Sequence, residues 1–314
     1  MTLGASIQHS RSKPNLPSTP KTPQLHLLSV ASSRVARSFL TALTPFLLNM
    51  NSPLPSHATE GKPVVVLGAN GKTGRLTVQK LSELGVQVRP TFRGEAVPGG
   101  FDGLPGVLPG VRADVTKLDS LDAAVSDASV VIFAASASSK GGSAKEVDFK
   151  GVENVANECI RYKIPRLVVI SSGAITRPDS LGYKFTNIFG SIMDYKLKGE
   201  QALRAAYSNS GDDSLSYIII RPGGLQEGKG VGPKGVELNQ GDTISGEVTR
   251  EDVADCTAHA AISTSIPKRV TFEIYSAGKG SPLESRFPAK SGFERLGNSY
   301  DEMFKELQIG EINI

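Results

Sequence analysis

The sequence lacks tryptophan and is poor in residues that build many catalytic and metal sites, with two cysteines and four histidines in 314 residues. Cys159 and Cys256 lie about a hundred residues apart, each inside an apolar helical pattern, and are expected to be small buried side chains. Three histidines precede residue 58, which leaves His259 alone in the rest of the chain. It stands among small and apolar residues in "DVADCTAHAAI", so we interpret it as structural. Neither a Ser-His-Asp triad nor a metal site is therefore predicted.

Acidic residues are absent from residues 1–59, which carry five basic residues and are rich in Ser, Thr and Pro. The rest of the chain holds 35 − 5 = 30 basic and 31 acidic residues, a net charge of about −1. A basic, Ser-rich and acid-poor segment is typical of a plastid or mitochondrial transit peptide. We therefore predict a disordered presequence over residues 1–59 and a chloroplast location, with the mitochondrion as the less favoured alternative.

Within this presequence, two arginines precede an apolar stretch of 11 residues, which a polar spacer and "SHA" ending at Ala58 follow. This is the order of a signal peptide behind a transit sequence, so the stroma and the thylakoid both stay open as destinations. The apolar stretch is interrupted by Pro45 and is shorter than the ~20 residues of a membrane-spanning helix. The nearly neutral remainder of the chain has no basic stripe, so nucleic-acid binding is not expected.

From residue 63 onward, apolar runs bounded by Gly or Pro alternate with segments of helical periodicity. Uninterrupted β-branched runs such as "VVV" and "YIII" are typical of strands buried on both faces. The pattern predicts an α/β fold with a doubly wound, mainly parallel sheet of about seven strands and helices on both faces. It forms one domain over residues 60–314, with a short C-terminal extension. The predicted strands cover residues 63–68, 86–92, 110–115, 128–136, 166–172, 215–222 and 269–276. The predicted helices lie near residues 73–84, 117–126, 146–162, 187–208, 249–264 and 299–307.

The strongest motif is "VVVLGANGKTGRLTVQKL", a predicted strand that runs into Gly68, Gly71 and Gly74 and then into a helix. Glycines at such a turn let backbone amides approach a pyrophosphate and let the helix N-terminus face the anion. The strand before them and the helix after them indicate dinucleotide binding rather than a structural turn. At the end of the second strand, "RPTFRGE" offers Arg93 where a 2′-phosphate lies, with Glu95 beyond it as an acidic competitor. NADP is therefore predicted in preference to NAD.

The glycine spacing G-x-x-G-x-x-G, together with "VDFKGVENV", "RLVVISSGA", "DYKLKGEQAL" and "IIIRPGGL", resembles the atypical short-chain dehydrogenases of the NmrA-like, NAD(P)H-binding type. The likeness is greatest to the small chloroplast Rossmann proteins of plants and algae and covers roughly residues 63–275. The resemblance implies a Rossmann fold whose cofactor contacts lie at the carboxyl ends of the strands. Around the pyrophosphate it implies Gly68, Asn70, Gly71, Lys72, Thr73 and Gly74, with Arg93 on the 2′-phosphate. It also implies Asp114 and Val115 beside the adenine, Ala134 and Ala135 near the ribose, Ser171 and Ser172 at the nicotinamide end, and Pro222 and Gly223 over it.

Ordinary short-chain dehydrogenases reduce carbonyls with a Tyr-x-x-x-Lys pair on the helix after the fifth strand. The one literal match, Tyr275 with Lys279, follows the last predicted strand and is interpreted as coincidental. In "IMDYKLKGEQAL", Tyr195 stands only three residues before Lys198, about 100° around the helix from the required position. Two interpretations stay open. Lys198 or Lys196 contacts the nicotinamide ribose, with Lys198 as the candidate catalytic residue, or the two lysines form a solvated surface pair.

The sequence therefore predicts an NADP(H)-binding oxidoreductase that transfers hydride to an unknown small-molecule substrate. The glycine-rich segment "GGLQEGKGVGPKG" is expected to be flexible enough to form a lid over it. The alternative is a non-catalytic NADP(H)-binding scaffold or redox-sensing assembly factor, with a photosynthetic membrane complex as its partner. No motif specifies the substrate or the oligomeric state.

Overall fold

The computed structural model describes residues 61–94, 100–138, 141–188 and 190–312. The presequence predicted over residues 1–59 lies outside the described residues. Across the described ranges, no helix is long and apolar enough to span a membrane, and no group of acidic, histidine and cysteine side chains forms a metal-binding cluster.

The strands of the described residues are mostly short runs of β-branched and aromatic residues. In chain order they are β1 (Val64–Leu67), β2 (Val88–Phe92), β3 (Val111–Arg112), β4 (Val130–Phe133), β5 (Arg166–Ile170), β6 (Ser216–Pro222), β7 (Gly224–Gln226), β8 (Val236–Asn239), β9 (Ile244–Ser245), β10 (Glu247–Thr249), β11 (Val270–Ser276) and β12 (Ser281–Pro282). The helices are α1 (Lys72–Glu83), α2 (Leu118–Val125), α3 (Val152–Arg161), α4 (Leu181–Asn187), α5 (Ile192–Asn209), α6 (Arg250–Ile262) and α7 (Tyr300–Lys305).

One large sheet has the strand order β3-β2-β1-β4-β5-β6-β11-β8. Its neighbouring strands are parallel except for β11 and β8, which are antiparallel. The predicted doubly wound sheet is therefore confirmed, with β8 in addition to the expected strands. The sequence pattern misses β8 because "VELN" is short and follows a glycine-rich segment. The strand order reverses between β1 and β4, and at such a switch point an α/β sheet opens a crevice for ligands.

Alternate side chains of the central strands feed two hydrophobic layers, because neighbouring residues of a strand point to opposite faces. Val64 and Val66 pack with α1, α6 and α7, whereas Val65 and Leu67 pack with α2, α3 and α5. The helices thus cover both faces, and the carboxyl edge of the sheet stays accessible for a site.

Two helices begin in a way that the sequence pattern does not predict. The chain forms the separate helix α4 and then turns through Gly190 and Ser191, both with left-handed backbone angles (φ +75° and +56°), before α5 begins. The helix predicted near residues 146–162 opens with π-helical turns, Lys145–Gly151, that continue into α3. Single π-helical turns are frequent at functional sites, and these carry the buried Asp148.

Candidate functional site

The turn after β1 brings the N-terminus of α1 to the carboxyl edge of the sheet. Gly68 has φ +80°, and a Cβ atom there would lie 2.8 Å from backbone atoms of Ala135. A Cβ atom at Gly74 would overlap the carbonyl oxygen of Gly68, so only glycine lets α1 pack this close to the turn. Gly71, the N-cap, offers no capping side chain, and the first turn of α1 contains no acid. The amide of Gly71 donates to the carbonyl of Gly68 at 2.9 Å, so the amides of Lys72 and Thr73 remain for an anion, and the cradle fits a dinucleotide pyrophosphate.

Polar side chains surround this glycine turn. Asn70 and Lys72 are exposed, and Arg75 Nη2 donates to Asn70 Oδ1 at 3.3 Å. Lys72 Nζ lies 2.7 Å from the Glu227 carboxylate, and Arg250 Nε lies 3.1 Å from the same group. Hydrogen bonds from Lys72 and then Arg250 lower the pKa of Glu227. Lys72 therefore spans the crevice from α1 to the chain that follows β7.

Arg93 lies just after β2, where the sequence predicts a contact with a 2′-phosphate. The residue is exposed, and its guanidinium lies so close to Gly141, in the loop after β4, that a Cβ atom at Gly141 would collide with it. Because β1 lies between β2 and β4, the arginine reaches across the carboxyl end of β1. Arg75, which the sequence pattern did not single out, lies near the segment after β2, with its guanidinium carbon 5.2 Å from the ring centroid of Phe101.

Asp114 and Val115 follow β3 at the outer side of the crevice. Asp114 Oδ1 accepts hydrogen bonds from the amide and the hydroxyl of Thr116, at 3.0 and 2.8 Å. The Val115 carbonyl accepts one from Asn154 Nδ2 at 3.0 Å. Both residues are thus fixed by the local turn and by α3.

Ala134 and Ala135 follow β4 and begin the loop that approaches the glycine turn. This loop is held by Asp148, whose side chain is buried. Asp148 accepts hydrogen bonds from Ser136 Oγ at 2.7 Å and from the next backbone amide at 2.9 Å. Its Oδ1 also lies 2.8 Å from Lys196 Nζ. One carboxylate therefore joins the loop after β4, the π-helical turns and α5.

The two lysines of α5 have different surroundings. Lys196 is paired with Asp148, is only 13 % exposed at its side chain and lines a small cleft together with Ser171. Lys198 is exposed, and its ammonium lies 5.1 Å from the ring centroid of Tyr195. The structure thus brings Lys196, and not Lys198, next to the predicted nicotinamide end.

A cavity of about 270 Å³ opens where β5 and β6 end. The four residues that the resemblance places at the nicotinamide end all line it: Ser171, Ser172, Pro222 and Gly223. The rest of its wall is backbone, apolar side chains such as Met193 and Leu225, and the hydroxyl groups of Thr186 and Ser245. Among the described residues that line the cavity, none carries a charge and none is a tyrosine.

The loop after β5 forms one wall of this cavity and is held by a buried carboxylate. Asp242 accepts hydrogen bonds from the amides of Ala174 and Thr176, at 2.6 and 2.9 Å, and from the hydroxyl of Thr176 at 2.8 Å. Ala174 and Asp242 both have left-handed backbone angles (φ +64° and +50°), which are strained for residues other than glycine. The three hydrogen bonds to Asp242 hold this strained wall in place.

A cluster of buried charges lies around Arg221, directly before the cavity-lining end of β6. Its Nη2 is 2.6 Å from Glu200 and 2.5 Å from Glu311, and its Nη1 is 3.4 Å from Glu273. Burial opposes the charge of Arg221, but the carboxylates, Glu200 first, raise the pKa of its guanidinium well above the ordinary value. Burial, and then the neighbouring Asp242, raise the pKa of Glu273 to about 8. Arg221 is therefore charged, and Glu273 is largely protonated at neutral pH.

The segment expected to act as a flexible lid is fastened to the start of α6. The amide of Gly230 donates to Glu251 at 3.0 Å, and those of Val231 and Gly232 donate to Asp252 at 2.8 Å each. Three hydrogen bonds to two carboxylates anchor residues 230–232 to α6, so a lid would have to break them, and the lid stays a prediction. The sequence pattern did not indicate this anchoring, because glycine content alone does not show what the backbone amides bind.

The other chemically reactive residues have structural surroundings. Cys159 and Cys256 are free and fully buried, as predicted. The Nδ1–H group of His259 donates a hydrogen bond to the carbonyl of Asp255, 2.9 Å away, in α6. Tyr275 is fully buried and donates to Glu237 at 2.9 Å, which supports the interpretation that its match with Lys279 is coincidental.

The predicted site residues fall along one edge of the sheet, from the glycine turn and Arg93 to the cavity, whereas Lys198 is exposed and lines neither the small cleft nor the cavity. Three buried residues that shape this edge were not predicted: Asp148, Asp242 and Arg221. The sequence does contain an indication for Arg221, since a charged residue at the end of the apolar run "YIIIRP" needs a buried partner. Asp242 stands in "QGDTIS", where nothing in the sequence indicates burial.

A glycine turn at the switch point of a doubly wound sheet, facing the N-terminus of a helix, defines a Rossmann-type dinucleotide-binding protein. A sequence profile described as NAD(P)H-binding matches residues 68–263 of the chain. The chain belongs to this NAD(P)H-binding family.

Its known relatives are distant in sequence. An uncharacterized chloroplast protein of Arabidopsis thaliana is 27 % identical over 260 residues, which cover 74 % of this chain and 88 % of that protein. The chloroplast protein TIC 62 of Pisum sativum is 28 % identical over 229 residues, 66 % of this chain but 41 % of TIC 62, so the match spans less than half of that longer protein. A short-chain dehydrogenase/reductase from Veillonella parvula, solved in complex with NADP, has a TM-score of 0.53 at 18 % identity, over 69 % of this chain and 96 % of that one. This structural likeness shows a shared fold.

Proposed function

We propose that the protein is an oxidoreductase that binds NADP(H) along the carboxyl edge of its sheet. The observation that carries the proposal is the alignment of a pyrophosphate cradle after β1 with the loop after β4 and the cavity after β5 and β6. These strands are consecutive neighbours in the sheet, so the parts lie in the order in which a dinucleotide crosses it. Membership in the NAD(P)H-binding family supports the assignment of the ligand.

Different residues of the chain are then assigned to different parts of the dinucleotide. The pyrophosphate is assigned to the cradle of Gly68, Asn70, Gly71, Lys72, Thr73 and Gly74. The adenosine part is assigned to Asp114, Val115, Ala134 and Ala135, and the nicotinamide end to Ser171, Ser172, Pro222 and Gly223. When bound, the dinucleotide supplies a hydride donor or acceptor at its nicotinamide ring. The protein orients that ring and shields it from water.

NADP is proposed over NAD because of Arg93. A guanidinium offers two parallel donors to a phosphate, and Arg93 reaches over the crevice from the end of β2. NAD carries a hydroxyl where NADP carries this phosphate, so it would leave the arginine without that charge-assisted contact.

For the nicotinamide ribose we propose Lys196 rather than Lys198. The support is geometric: Lys196 is mostly buried beside Ser171, and the ion pair with Asp148 holds its ammonium in position. Lys198 is exposed and lines neither the small cleft nor the cavity.

The second candidate function is a non-catalytic NADP(H)-binding protein that senses redox state or assists assembly of a photosynthetic membrane complex. One observation favours it: the described residues that line the cavity include no charged side chain and no tyrosine to serve as a general acid or base. A chloroplast location suits either function, and its support is the composition of residues 1–59 together with the two chloroplast relatives.

The cofactor proposal is tested by titrating the purified protein with NADPH and NADH. The chain has no tryptophan, so NADPH fluorescence can be followed without energy transfer from indole rings. We expect NADPH to bind at least tenfold more tightly, which corresponds to about 1.4 kcal/mol. Arg93→Ala should remove the preference, while Arg75→Ala, which deletes a cation near the same crevice, should retain it. Equal affinities of the unaltered protein for the two dinucleotides would contradict the proposal.

Catalysis is tested separately, by NADPH oxidation with carbonyl compounds, quinones and flavins as acceptors. Turnover with one of them supports the oxidoreductase. Tight NADPH binding without turnover on any acceptor supports the non-catalytic alternative.

A further inference from the structure

We propose that the cavity at the ends of β5 and β6 binds an uncharged, predominantly apolar ring compound that carries a carbonyl group, such as a quinone. This inference deepens the proposed function and rests on it, since it names the ligand class of the same site. It depends on three properties of the cavity: its charge, its hydroxyl groups and its rim.

The cavity offers no counter-charge to a ligand. Near its wall, Lys196 is paired with Asp148 and Arg221 with Glu200, and Asp242 accepts three hydrogen bonds from the wall itself. The exposed Glu247, beside the lining residue Gly224, adds a carboxylate and therefore no partner for an anionic ligand. A ligand carboxylate or phosphate would lose its hydration on entry without gaining an ion pair. Burial of an unpaired charge is strongly unfavourable, so a neutral ligand is favoured.

The polar groups of the cavity suit a carbonyl oxygen. Ser172, Thr186 and Ser245 add hydroxyl groups to an otherwise apolar wall, whereas the hydroxyl of Ser171 is buried and faces Glu200. In the described structure Ser172 Oγ donates only to the carbonyl of the next residue, at 3.2 Å, a bond that a hydroxyl can exchange by rotation. Hydroxyl donors within an apolar pocket fix the orientation of a neutral ligand without requiring it to carry a charge.

The rim of the cavity is apolar on its outer side. Gly182 and Thr186, four residues apart on α4, line the cavity. Leu181, Phe185 and Ile188 follow the same helical spacing on the adjacent side and are 84, 70 and 75 % exposed. A contiguous exposed apolar ridge commonly marks a binding site, and this one borders the mouth of the cavity. We assign it to the apolar part of the ligand, which extends past the mouth.

The test compares two probes that differ in charge, naphthoquinone and naphthoquinone sulfonate, by calorimetric titration with and without NADPH. Both cysteines are fully buried, which limits covalent addition of the quinone to thiols. We expect the neutral probe to bind at least tenfold more tightly. Leu225→Lys, which places a cation in the cavity wall, should weaken the neutral probe and strengthen the sulfonate. The matched control is Leu296→Lys at a 62 % exposed site that does not line the cavity, and it should change neither affinity.

The outcomes separate this inference from the proposed function. Equal or tighter binding of the sulfonate to the unaltered protein, or no binding of either probe, overturns the ligand class even if NADPH binds. Preferential binding of the neutral probe without any binding of NADPH overturns the cofactor proposal and leaves the ligand class of the cavity standing.

Discussion

The two halves of the sheet's carboxyl edge are shaped by opposite means. On the β1 side, the shape comes from missing side chains, because Gly68 and Gly74 let backbone approach backbone. On the β6 side, it comes from buried charges, with Arg221 surrounded by carboxylates and Asp242 holding the cavity wall. The residues that shape the first half lie within seven consecutive positions, Gly68 to Gly74, whereas in the second half Arg221 and its partner Glu311 are 90 residues apart.

This difference predicts different responses to substitution. An added methyl group on the β1 side blocks binding locally, since the clash is confined to the turn. A charge removed on the β6 side leaves buried carboxylates with fewer ion-pair partners, so the whole domain loses stability. Substitutions on the β1 side should therefore change the affinity for the dinucleotide, and substitutions on the β6 side should change the stability of the fold.

The largest effect is expected from Arg221→Met. It leaves the buried Glu200 with Arg204, 2.8 Å away, as its remaining ion-pair partner, and the free energy of unfolding should fall by about 3 kcal/mol, the lower end for a broken buried pair. The measurement is denaturant unfolding followed by far-UV circular dichroism. Arg250→Met is the matched control, because that arginine pairs with the exposed Glu227 and should matter little. If both variants lose the same stability, the β6 half does not depend on its buried charges.

The second-largest effect is expected in the pH dependence of stability, which the β6 half should set through Glu273. The pKa of Glu273 is raised in the fold from 4.5 to about 8, by burial and by Asp242, so the folded protein holds a proton that the unfolded chain releases. Stability from this group is complete below about pH 4.5 and is lost as the pH rises through about 8, by at most ~1.4 kcal/mol per pH unit. Glu273→Gln should remove this decline, and the exposed Glu306→Gln should not. A decline of the same slope in the Glu273 variant would refute the assignment.

On the β1 side, a substitution in the glycine turn should change the affinity for NADPH. Gly74→Ala places a methyl group on the carbonyl of Gly68, and we expect NADPH binding to weaken at least tenfold. Gly94→Ala is the control near the same edge, because its added methyl group meets no atom within 4 Å. Fluorescence titration of both variants decides the point. Unchanged affinity in Gly74→Ala would mean that close packing at the turn is not required.

The smallest effect is expected at the lysines that lie between the two halves. Lys196→Met should weaken NADPH binding several-fold, because its ammonium is held beside Ser171. Lys198→Met should leave the affinity unchanged, since that residue is exposed. The reverse result would return the role to Lys198 and show that α5 rearranges on binding.

The contrast also explains what the sequence could predict. The parallel sheet and the glycine turn follow from local patterns, namely apolar runs, glycine spacing and a helix directly behind. The choice between Lys196 and Lys198 depends on the rotation of α5, which Asp148 sets through an ion pair 48 residues away in sequence. A two-residue offset on a helix turns a side chain by about 200°, so no local pattern can make that choice.

The cavity wall also combines features that the sequence could predict with features that it could not. The family resemblance implied that Ser171, Ser172, Pro222 and Gly223 lie at the nicotinamide end, which agrees with the gathering of strand ends at one edge of a parallel sheet. The left-handed Ala174 and its partner Asp242 could not be predicted, because both favour other backbone angles and their contact spans 68 residues. Strand β8 and the anchoring of the glycine-rich segment to α6 also depend on pairs outside any local pattern, such as Val236 with Ser276 and Val231 with Asp252.

The central claim is that one dinucleotide crosses the edge from the glycine turn to the neutral cavity. A crystal structure of the protein with bound NADPH tests it most directly. The account predicts the pyrophosphate at the amides of Lys72 and Thr73, the 2′-phosphate at Arg93, and the nicotinamide ring between Ser171 and Gly223. A dinucleotide bound in the reverse direction, or with its nicotinamide ring outside the cavity, would contradict it.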